Sequence, residues 1–218
     1  MQTEPAELVA FMRAHSFAVL VAVQDGLPVA VHIPVVVVAE GDDIVLRGHI
    51  ARANSLWQTF DGDEALVIFG GPHAYVSPSA YEKRESVPTW NYMAVHAYGV
   101  PHAIHATQAS SMRSMLAELI DTYEPSYGLQ WNSLPQTFRK GLMQGIVGFE
   151  LPVARLEGQY KLSQNRSVSD RQNVASMLAE ASDPSVTAVG AAMQNGLKDG
   201  TEPIATGSHS RRAKDYIE

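Results

Sequence analysis

The chain has 218 residues, of which 45% are hydrophobic and 18% charged, so it is long enough to bury a substantial core. It contains no cysteine, which excludes disulfides, thiolate metal sites and cysteine nucleophiles. The formal net charge of −7 is opposite in sign to a DNA-binding surface, so direct DNA binding is doubtful. No apolar run reaches the about 18 residues of a membrane span, and the N-terminus lacks the order of a signal peptide. We therefore expect a cytoplasmic protein without membrane contact.

Turn-linked apolar runs in the first half of the chain predict an antiparallel sheet. The runs are rich in β-branched residues, and a Gln24-Asp25-Gly26 turn joins the first two as a hairpin. The predicted strands of this half are 17–23, 29–38, 44–49, 65–69 and 74–76. A capped helix precedes the first strand, and a brief helix over 50–60 follows the third.

The second half of the chain adds helices to further strands. We expect one long or bulged strand over 90–106, interrupted near Gly99, and a strand pair at 145–151 and 154–162. The predicted helices are 108–123, 135–143, 170–181 and 185–197. Short turns between strands favour a small antiparallel barrel with peripheral α-helices over an α/β sheet, which would need strands and helices to alternate.

The domain organisation follows from the same segments. We assign residues 1–182 to one principal domain. Residues 183–218 form a C-terminal helix and a polar tail, packed on that domain or extending from it. The tail begins at Lys198 and is rich in Gly, Thr and Ser.

The junction between the third strand and the following helix is a candidate site. Its polar residues are His49, Arg52 and Asn54. Backbone N–H groups at a helix start, together with the Arg52 guanidinium, can converge on a phosphate. In the structural alternative, Arg52 pairs with a surface carboxylate and Asn54 caps the helix. Further along the chain, Trp90 can line a planar ligand or serve as a core anchor.

The densest polar cluster is the segment KLSQNR at residues 161–166. Two cations and two amides within six residues need partners or water, and they suit an anion. Lys161, Gln164, Asn165 and Arg166 are therefore the strongest candidates for binding.

Other site classes are not supported by motifs. Strand periodicity separates His105 from His96 and His102, which spoils a three-ligand metal site, so we expect no metal. The sequence has no hydrolase, metalloprotease or phosphate-loop motif, and no catalytic residue is assigned.

Five segments, taken together and in order, resemble one family over nearly the whole chain to about Leu178. The segments are His49-Ile50-Ala51-Arg52-Ala53-Asn54, Tyr75-Val76-Ser77-Pro78, Val87-Pro88-Thr89-Trp90-Asn91-Tyr92, Ile146-Val147-Gly148-Phe149-Glu150 and Lys161-Leu162-Ser163-Gln164-Asn165-Arg166. They resemble the PaiB-type FMN-binding negative transcriptional regulators, a family similar to the pyridoxamine-phosphate-oxidase-like split barrels. The resemblance implies a mainly β, antiparallel FMN-binding split β-barrel with peripheral α-helices.

The resemblance also implies a homodimer with FMN in an intersubunit groove and cationic side chains on its phosphate. Arg52 with Asn54 and Lys161 with Arg166 become candidates for the phosphate and for the polar edge of the flavin. The full set of cofactor-binding candidates is His49, Arg52, Asn54, Trp90, Lys161, Gln164, Asn165 and Arg166.

Three functions are consistent with the sequence. The family name implies negative transcriptional regulation, although the chain has no obvious DNA-binding motif. The first alternative is a flavin-dependent oxidoreductase, or a haem-related redox protein, of unknown substrate. The second is a cofactor-free interaction module, because Ala80 stands where the family commonly has Trp.

Overall fold

The computed structural model describes residues 5–198 and the backbone of residues 207–210. The helices are α1 (Pro5–Ala14), α2 (Ala109–Tyr123), α3 (Tyr127–Ser133), α4 (Gln136–Gln144), α5 (Val168–Ala179) and α6 (Pro184–Lys198), with short 3₁₀ helices at Ser55–Thr59 and Pro78–Ala80. The strands are β1 (Phe17–Gln24), β2 (Leu27–Pro34), β3 (Val36–Glu40), β4 (Asp43–Ala51), β5 (Ala65–Val76), β6 (Thr89–Gly99), β7 (His102–Ile104), β8 (Ile146–Pro152), β9 (Arg155–Lys161) and β10 (Gly207–Ser210). Within the described range, no helix combines the length and apolar character needed to cross a membrane.

The strands form two sheets. The six-stranded sheet has the order β10-β9-β6-β5-β1-β2, and the four-stranded sheet has the order β3-β4-β8-β7. Strand β1 pairs antiparallel with β2 and β5, and β4 pairs antiparallel with β3 and β8. Short turns make these antiparallel neighbours possible, as the sequence predicted.

The first hairpin shows how local sequence sets the register. Asp25 and Gly26 have φ values of 53° and 76°, and positive φ at both central residues is what a type I′ turn needs. The resulting register pairs Val21 with Ala30. Side chains alternate across the sheet, so Leu20 is buried while Val21 on the opposite face is only half-buried.

The prediction of a single strand over 29–38 is wrong, because the chain passes from the six-stranded sheet to the four-stranded sheet in the middle of that run. Strand β2 ends at Pro34, and β3 starts at Val36 and pairs with β4 in the other sheet. Between them, the Val35 N–H donates to the Ser16 carbonyl at 2.9 Å. Proline has no N–H for a ladder, so the break falls where the ladder would lose a donor.

Other boundaries also differ from the predictions. The predicted strands 65–69 and 74–76 are one strand, β5, and the brief helix predicted over 50–60 is a single 3₁₀ helix after a longer β4. Helix α3 was not predicted at all, because its seven residues are too short to show a helical period. The interruption near Gly99 is confirmed as the gap between β6 and β7.

The chain divides into two compact units, each discontinuous in sequence. Of the described residues, the first unit contains 5–11, 70–96, 157–198 and 207–209, and the second unit contains 12–69, 97–156 and 210. The domain division predicted at residues 182–183 stays a proposal. The polar tail predicted from Lys198 lies outside the described residues, apart from its first residue and the backbone of 207–210.

The first unit has its core around α5 and α6. Its buried members include Val76, Leu162, Leu178, Val189 and Met193, and the Ala80 side chain packs against this cluster. Because Leu162 belongs to this core, the core fixes the start of the polar loop that follows from Ser163 onward.

The second unit packs α2 against the four-stranded sheet. The buried face of α2 carries Met112, Met115 and Leu119, which share a core cluster with Ile104 and Met143. A Cβ atom at Gly148 of β8 would lie 2.7 Å from the Met115 sulfur and 3.3 Å from the Ile104 Cβ, so glycine at this position leaves room for the Met115 side chain against the sheet.

An ion-pair network also holds α2 to the sheet. The Arg47 guanidinium of β4 lies 2.6 Å from a Glu118 carboxylate oxygen on α2 and 2.8 Å from one of Glu150 on β8. Both carboxylates raise the pKa of Arg47, chiefly through the hydrogen bond that the guanidinium donates to Glu118. These contacts hold α2 against the middle of β4, where Arg47 pairs with Glu150 of β8.

Candidate functional site

Arg52 follows the end of β4 and is anchored by backbone carbonyl groups. Its Nε donates to the Gln144 carbonyl at 2.8 Å, and its Nη2 donates to the Ile146 carbonyl at 3.1 Å. The guanidinium carbon lies 5.8 Å from the ring centroid of Trp57, whose Nε1 donates to the Arg52 carbonyl at 3.0 Å. Arg52 is thus oriented by backbone and aromatic contacts, and among the described residues it has no carboxylate partner of the kind that the structural alternative supposed.

The other two residues of this motif have different surroundings. The Asn54 Oδ1 accepts from the Leu56 N–H at 3.0 Å and caps the 3₁₀ helix, as the structural alternative supposed. His49 stands opposite Gly148 in the β4–β8 ladder. Its Nδ1 is buried without a hydrogen-bond partner in the described part of the chain, and burial lowers the pKa of the imidazole. His49 is therefore neutral near pH 7.

A cavity of about 530 Å³ opens beside Arg52, and we call it the cationic cavity. Arg113 of α2 and Lys140 of α4 line it with Arg52, and His105 contributes an imidazole. The complete lining is Arg52, His105, Ala106, Thr107, Ala109, Arg113, Lys140, Met143 and Gln144. None of these residues is acidic, although the protein as a whole carries a net charge of −7. This concentration of positive charge suits an anionic ligand.

Arg113 and Lys140 were not predicted as site residues. Neither side chain forms a salt bridge or hydrogen bond with any residue that the structure describes. No sequence signal singled them out, because Arg113 lies outside the apolar spacing of α2, and both cations are exposed as ordinary helix-surface residues are. Sequence alone could not place Arg113 and Lys140 beside Arg52, since α2, α4 and β4 are distant in the chain.

The KLSQNR segment forms a polar loop in the first unit. The Lys161 Nζ donates to the Thr89 hydroxyl at 2.7 Å, and the Arg166 guanidinium carbon lies 4.0 Å from the Tyr81 ring centroid. Both cations and Asn165 line a pocket of about 210 Å³. The structure therefore brings three of the four predicted residues of this segment to one pocket.

The fourth residue, Gln164, forms hydrogen bonds to the backbone of its own loop. Its Oε1 accepts from the Leu162 N–H at 2.8 Å, and its Nε2 donates to the Tyr160 carbonyl. These bonds close the loop around Ser163, whose φ of 60° is unusual for a residue with a side chain. Gln164 thus shapes the turn that presents its neighbours.

Trp90 belongs to an aromatic cluster on the surface of the first unit. Its ring centroid lies 5.9 Å from that of Tyr75 and 6.1 Å from that of His73. The Trp90 side chain is 54% exposed, so it is not the core anchor that one interpretation supposed. An exposed tryptophan with aromatic neighbours can stack on a flat ligand.

Comparison with known proteins identifies related chains. Residues 1–155 match the family model described as "Putative FMN-binding domain". The chain is 34% identical over 197 residues to the protease synthase and sporulation protein PAI 2 of Bacillus subtilis, covering 90% of this chain and 94% of that protein.

Two solved structures share the fold. The flavocytochrome Anf3 from Azotobacter vinelandii aligns with a TM-score of 0.52 at 17% identity, covering 73% of this chain and 68% of that one. The FAD and heme binding protein from Mycobacterium smegmatis aligns with a TM-score of 0.50 at 16% identity, covering 73% and 72%. Together with the antiparallel sheets, these likenesses confirm the predicted mainly β, split-barrel fold with α-helices.

Proposed function

The chain belongs to the PaiB-type family of FMN-binding split-barrel proteins, and we propose that its cationic cavity holds the flavin phosphate. The observation that carries this proposal is the meeting of Arg52, Arg113 and Lys140 around one cavity without an acidic lining residue. Arg52 also belongs to the first motif of the family resemblance. The proposal thus extends the sequence-based candidates by two residues.

The charge and geometry of this residue set fit a phosphate monoester. Such a group carries about −1.5 to −2 charges near neutral pH and has three strong acceptor oxygens. The Arg52 guanidinium is already oriented by two carbonyl groups, so little side-chain entropy is lost when its other N–H groups meet a ligand. Arg113 and Lys140 bring charges that no residue of the described chain neutralises by a salt bridge.

A bound flavin would supply the electron-transfer chemistry, and the protein would supply binding and orientation. We propose that His49, as a neutral imidazole, offers hydrogen bonding without adding charge. The family resemblance keeps Trp90 as a candidate for contact with a flavin ring, and it keeps Lys161, Asn165 and Arg166 as candidates for contact with the polar edge of a flavin. Asn54 and Gln164 act on their own loops and support these residues indirectly.

We further propose that the protein is a homodimer. In the second unit, the face of β1 opposite Leu20 carries Phe17, Val19, Val21 and Val23, and these side chains are exposed or half-exposed. The facing positions in β2 are Pro28, Ala30, His32 and Pro34, and those in β5 are Leu66 and Ile68. We call this surface the β1 face. A largely apolar sheet face of this kind, with His32 as its polar member, is stabilised when a second copy covers it.

Flavin binding is tested by titrating the purified protein with FMN while flavin fluorescence is recorded. We expect saturable binding, weakened about tenfold in Arg52→Ala and in Arg113→Ala, since charge-assisted hydrogen bonds contribute about 1.5–3 kcal/mol. Arg84→Ala is the matched control, because Arg84 is exposed and does not line the cavity. Binding that both cavity variants leave unchanged would contradict the proposed site. No flavin binding at all would favour the cofactor-free interaction module.

We propose that the biological output is negative regulation of transcription, exerted through a partner protein. The family resemblance supports regulation, and the net charge of −7 argues against direct contact with DNA phosphates. The test compares target transcripts in a deletion strain, in a strain with the intact gene and in one carrying Arg113→Ala. Derepression in the deletion strain is expected, and retention of DNA by the purified protein at physiological salt would contradict an indirect route.

A flavin-dependent oxidoreductase is the second candidate function. The Lys161–Arg166 pocket favours it, because two cations beside a cavity of about 210 Å³ suit a small anionic electron acceptor or donor. The names of the two solved structures add support, since each of those proteins is described as a flavin and haem protein or a flavocytochrome. Mixing the flavin-loaded protein with nicotinamide nucleotides and following flavin absorbance tests this candidate. Lack of reduction by any donor would count against it.

A further inference from the structure

A second cavity of about 320 Å³ lies next to the cationic cavity in the same unit, and we call this the adjoining cavity. Three residues line both: Arg113, Lys140 and Met143. The two shared cations therefore stand at the junction, where the proposed function positions the flavin phosphate. A group attached beyond that phosphate would enter the adjoining cavity.

The side chains that line the adjoining cavity suit a flat, aromatic ligand group. Trp131 of α3 and Arg139 of α4 line it, and the Arg139 guanidinium carbon lies 6.0 Å from the Trp131 ring centroid. Gln136 adds an amide that can both donate and accept hydrogen bonds. Aromatic rings and guanidinium planes are the side chains on which nucleic-acid bases stack, and an amide can read a base edge.

The volumes of the two cavities and the charge of their lining also favour a ligand larger than a phosphate monoester. Both cavities fall within the range of about 300–1,000 Å³ that is typical of ligand pockets, so the pair is larger than a single phosphate group requires. No acidic residue lines either cavity, so a second phosphate would meet the same favourable potential as the first.

We propose that the site accepts a flavin dinucleotide, with the pyrophosphate at Arg113 and Lys140 and the adenine in the adjoining cavity beside Trp131. This inference rests on the proposed function and names the ligand class of that same site. The adenylate half adds affinity, so FAD binds more tightly than FMN.

The test is isothermal titration of the full-length protein with FMN and, separately, with FAD. We expect FAD to bind about tenfold more tightly than FMN, because stacking a base on an aromatic side chain is worth about 1–3 kcal/mol. Trp131→Ala should remove this preference and leave FMN affinity unchanged, whereas Trp131→Phe should retain most of it. Leu129→Ala is the matched control, because Leu129 lies on the same helix and is 85% exposed.

The outcomes separate this inference from the proposed function. FMN binding without any preference for FAD would overturn the dinucleotide proposal and leave the proposed function standing. A preference for FAD that survives in Trp131→Ala would have the same meaning. Failure to bind either flavin overturns the proposed function as well. Unaltered FMN affinity in Trp131→Ala shows that the variant is folded, and thermal unfolding of Trp131→Phe gives a second check.

Discussion

At the scale of single residues, Ser163 couples a strained backbone to a buried hydrogen bond. Its φ is 60°, and its hydroxyl accepts from the Asn91 side-chain amide at 3.0 Å. Asn91 is fully buried and also lies 3.4 Å from the Met193 sulfur. The left-handed turn between Lys161 and Arg166 is therefore held by a polar contact inside the first unit.

Two substitutions at Ser163 separate these effects. Both Ser163→Ala and Ser163→Gly remove the hydroxyl, and we expect both to lower the free energy of unfolding. Glycine adopts positive φ without steric cost, so Ser163→Gly should be about 1 kcal/mol more stable than Ser163→Ala. Urea unfolding followed by circular dichroism gives the difference. Equal stability of the two variants would mean that the backbone strain is relieved elsewhere.

Three partly buried histidines predict how the free energy of unfolding depends on pH. Burial lowers the pKa of His49 below the ordinary value of 6.5, and it lowers the pKa of His15 and His96 in the same direction. The unfolded chain then binds protons at a higher pH than the folded chain does. The stability that these groups contribute is full above pH 6.5 and is lost as the pH falls below that value.

His49→Gln tests this sign. We expect a smaller loss of stability between pH 7 and about 5 in the variant than in the wild type, because one proton-linked group is gone. The measurement is the urea midpoint at each pH. His73→Gln serves as the control, since His73 is exposed. A variant with the same pH dependence as the wild type would show that His49 is not linked to unfolding.

At the scale of elements, α5 and α6 approach so closely that one position accepts only glycine. A Cβ atom at Gly190 of α6 would lie 2.5 Å from the Ala179 nitrogen and 3.0 Å from the Ala175 carbonyl oxygen. Both are backbone atoms of α5, so no side-chain rotation can make room for the added Cβ. The helix pair that carries the core of the first unit depends on this contact.

Gly190→Ala should therefore destabilise the protein by about 1–3 kcal/mol, although alanine is the better helix former by about 1 kcal/mol. Gly141→Ala in α4 is the matched control, because a Cβ atom there meets nothing within 4 Å. We expect that control to be stabilised by about 0.5–1 kcal/mol. Thermal unfolding compares the two variants, and a change of the same sign in both would refute the packing argument.

At the scale of the whole molecule, the β1 face predicts the oligomeric state. Val21 stands near its middle, half-buried and paired with Ala30 and Leu66. The wild-type protein should have a dimer mass by light scattering at micromolar concentration. Val21→Lys should reduce it to a monomer, because a lysine charge would have to be buried in the interface.

Gln58→Lys is the control for this prediction, since it adds the same charge at an exposed position in the second unit. It should leave the dimer mass unchanged, and circular dichroism should show that both variants are folded. A monomer mass for the wild type would contradict the homodimer and the use of the β1 face.

Much of the fold was decided by local sequence. The Asp25-Gly26 turn specified the first hairpin, because only a few residue pairs adopt two successive positive φ values easily. The apolar spacing of Met112, Met115 and Leu119 specified the buried face of α2. Both signals act over a few residues, so they can be read without knowing the rest of the structure. The five ordered motifs similarly identified the family.

The composition of the site was decided only by the tertiary structure. The motif residue Arg52 could be named from the sequence. Arg113 and Lys140 line the same cavity only because the strand order and the packing of α2 bring distant segments of the chain together. The break after Pro34 could not be predicted either, because residues Val36 to Val38 have the same strand preference whichever sheet they join. Turns and helix periods depend on neighbours in sequence, whereas a cavity depends on neighbours in space, and these are chosen by packing across the whole chain.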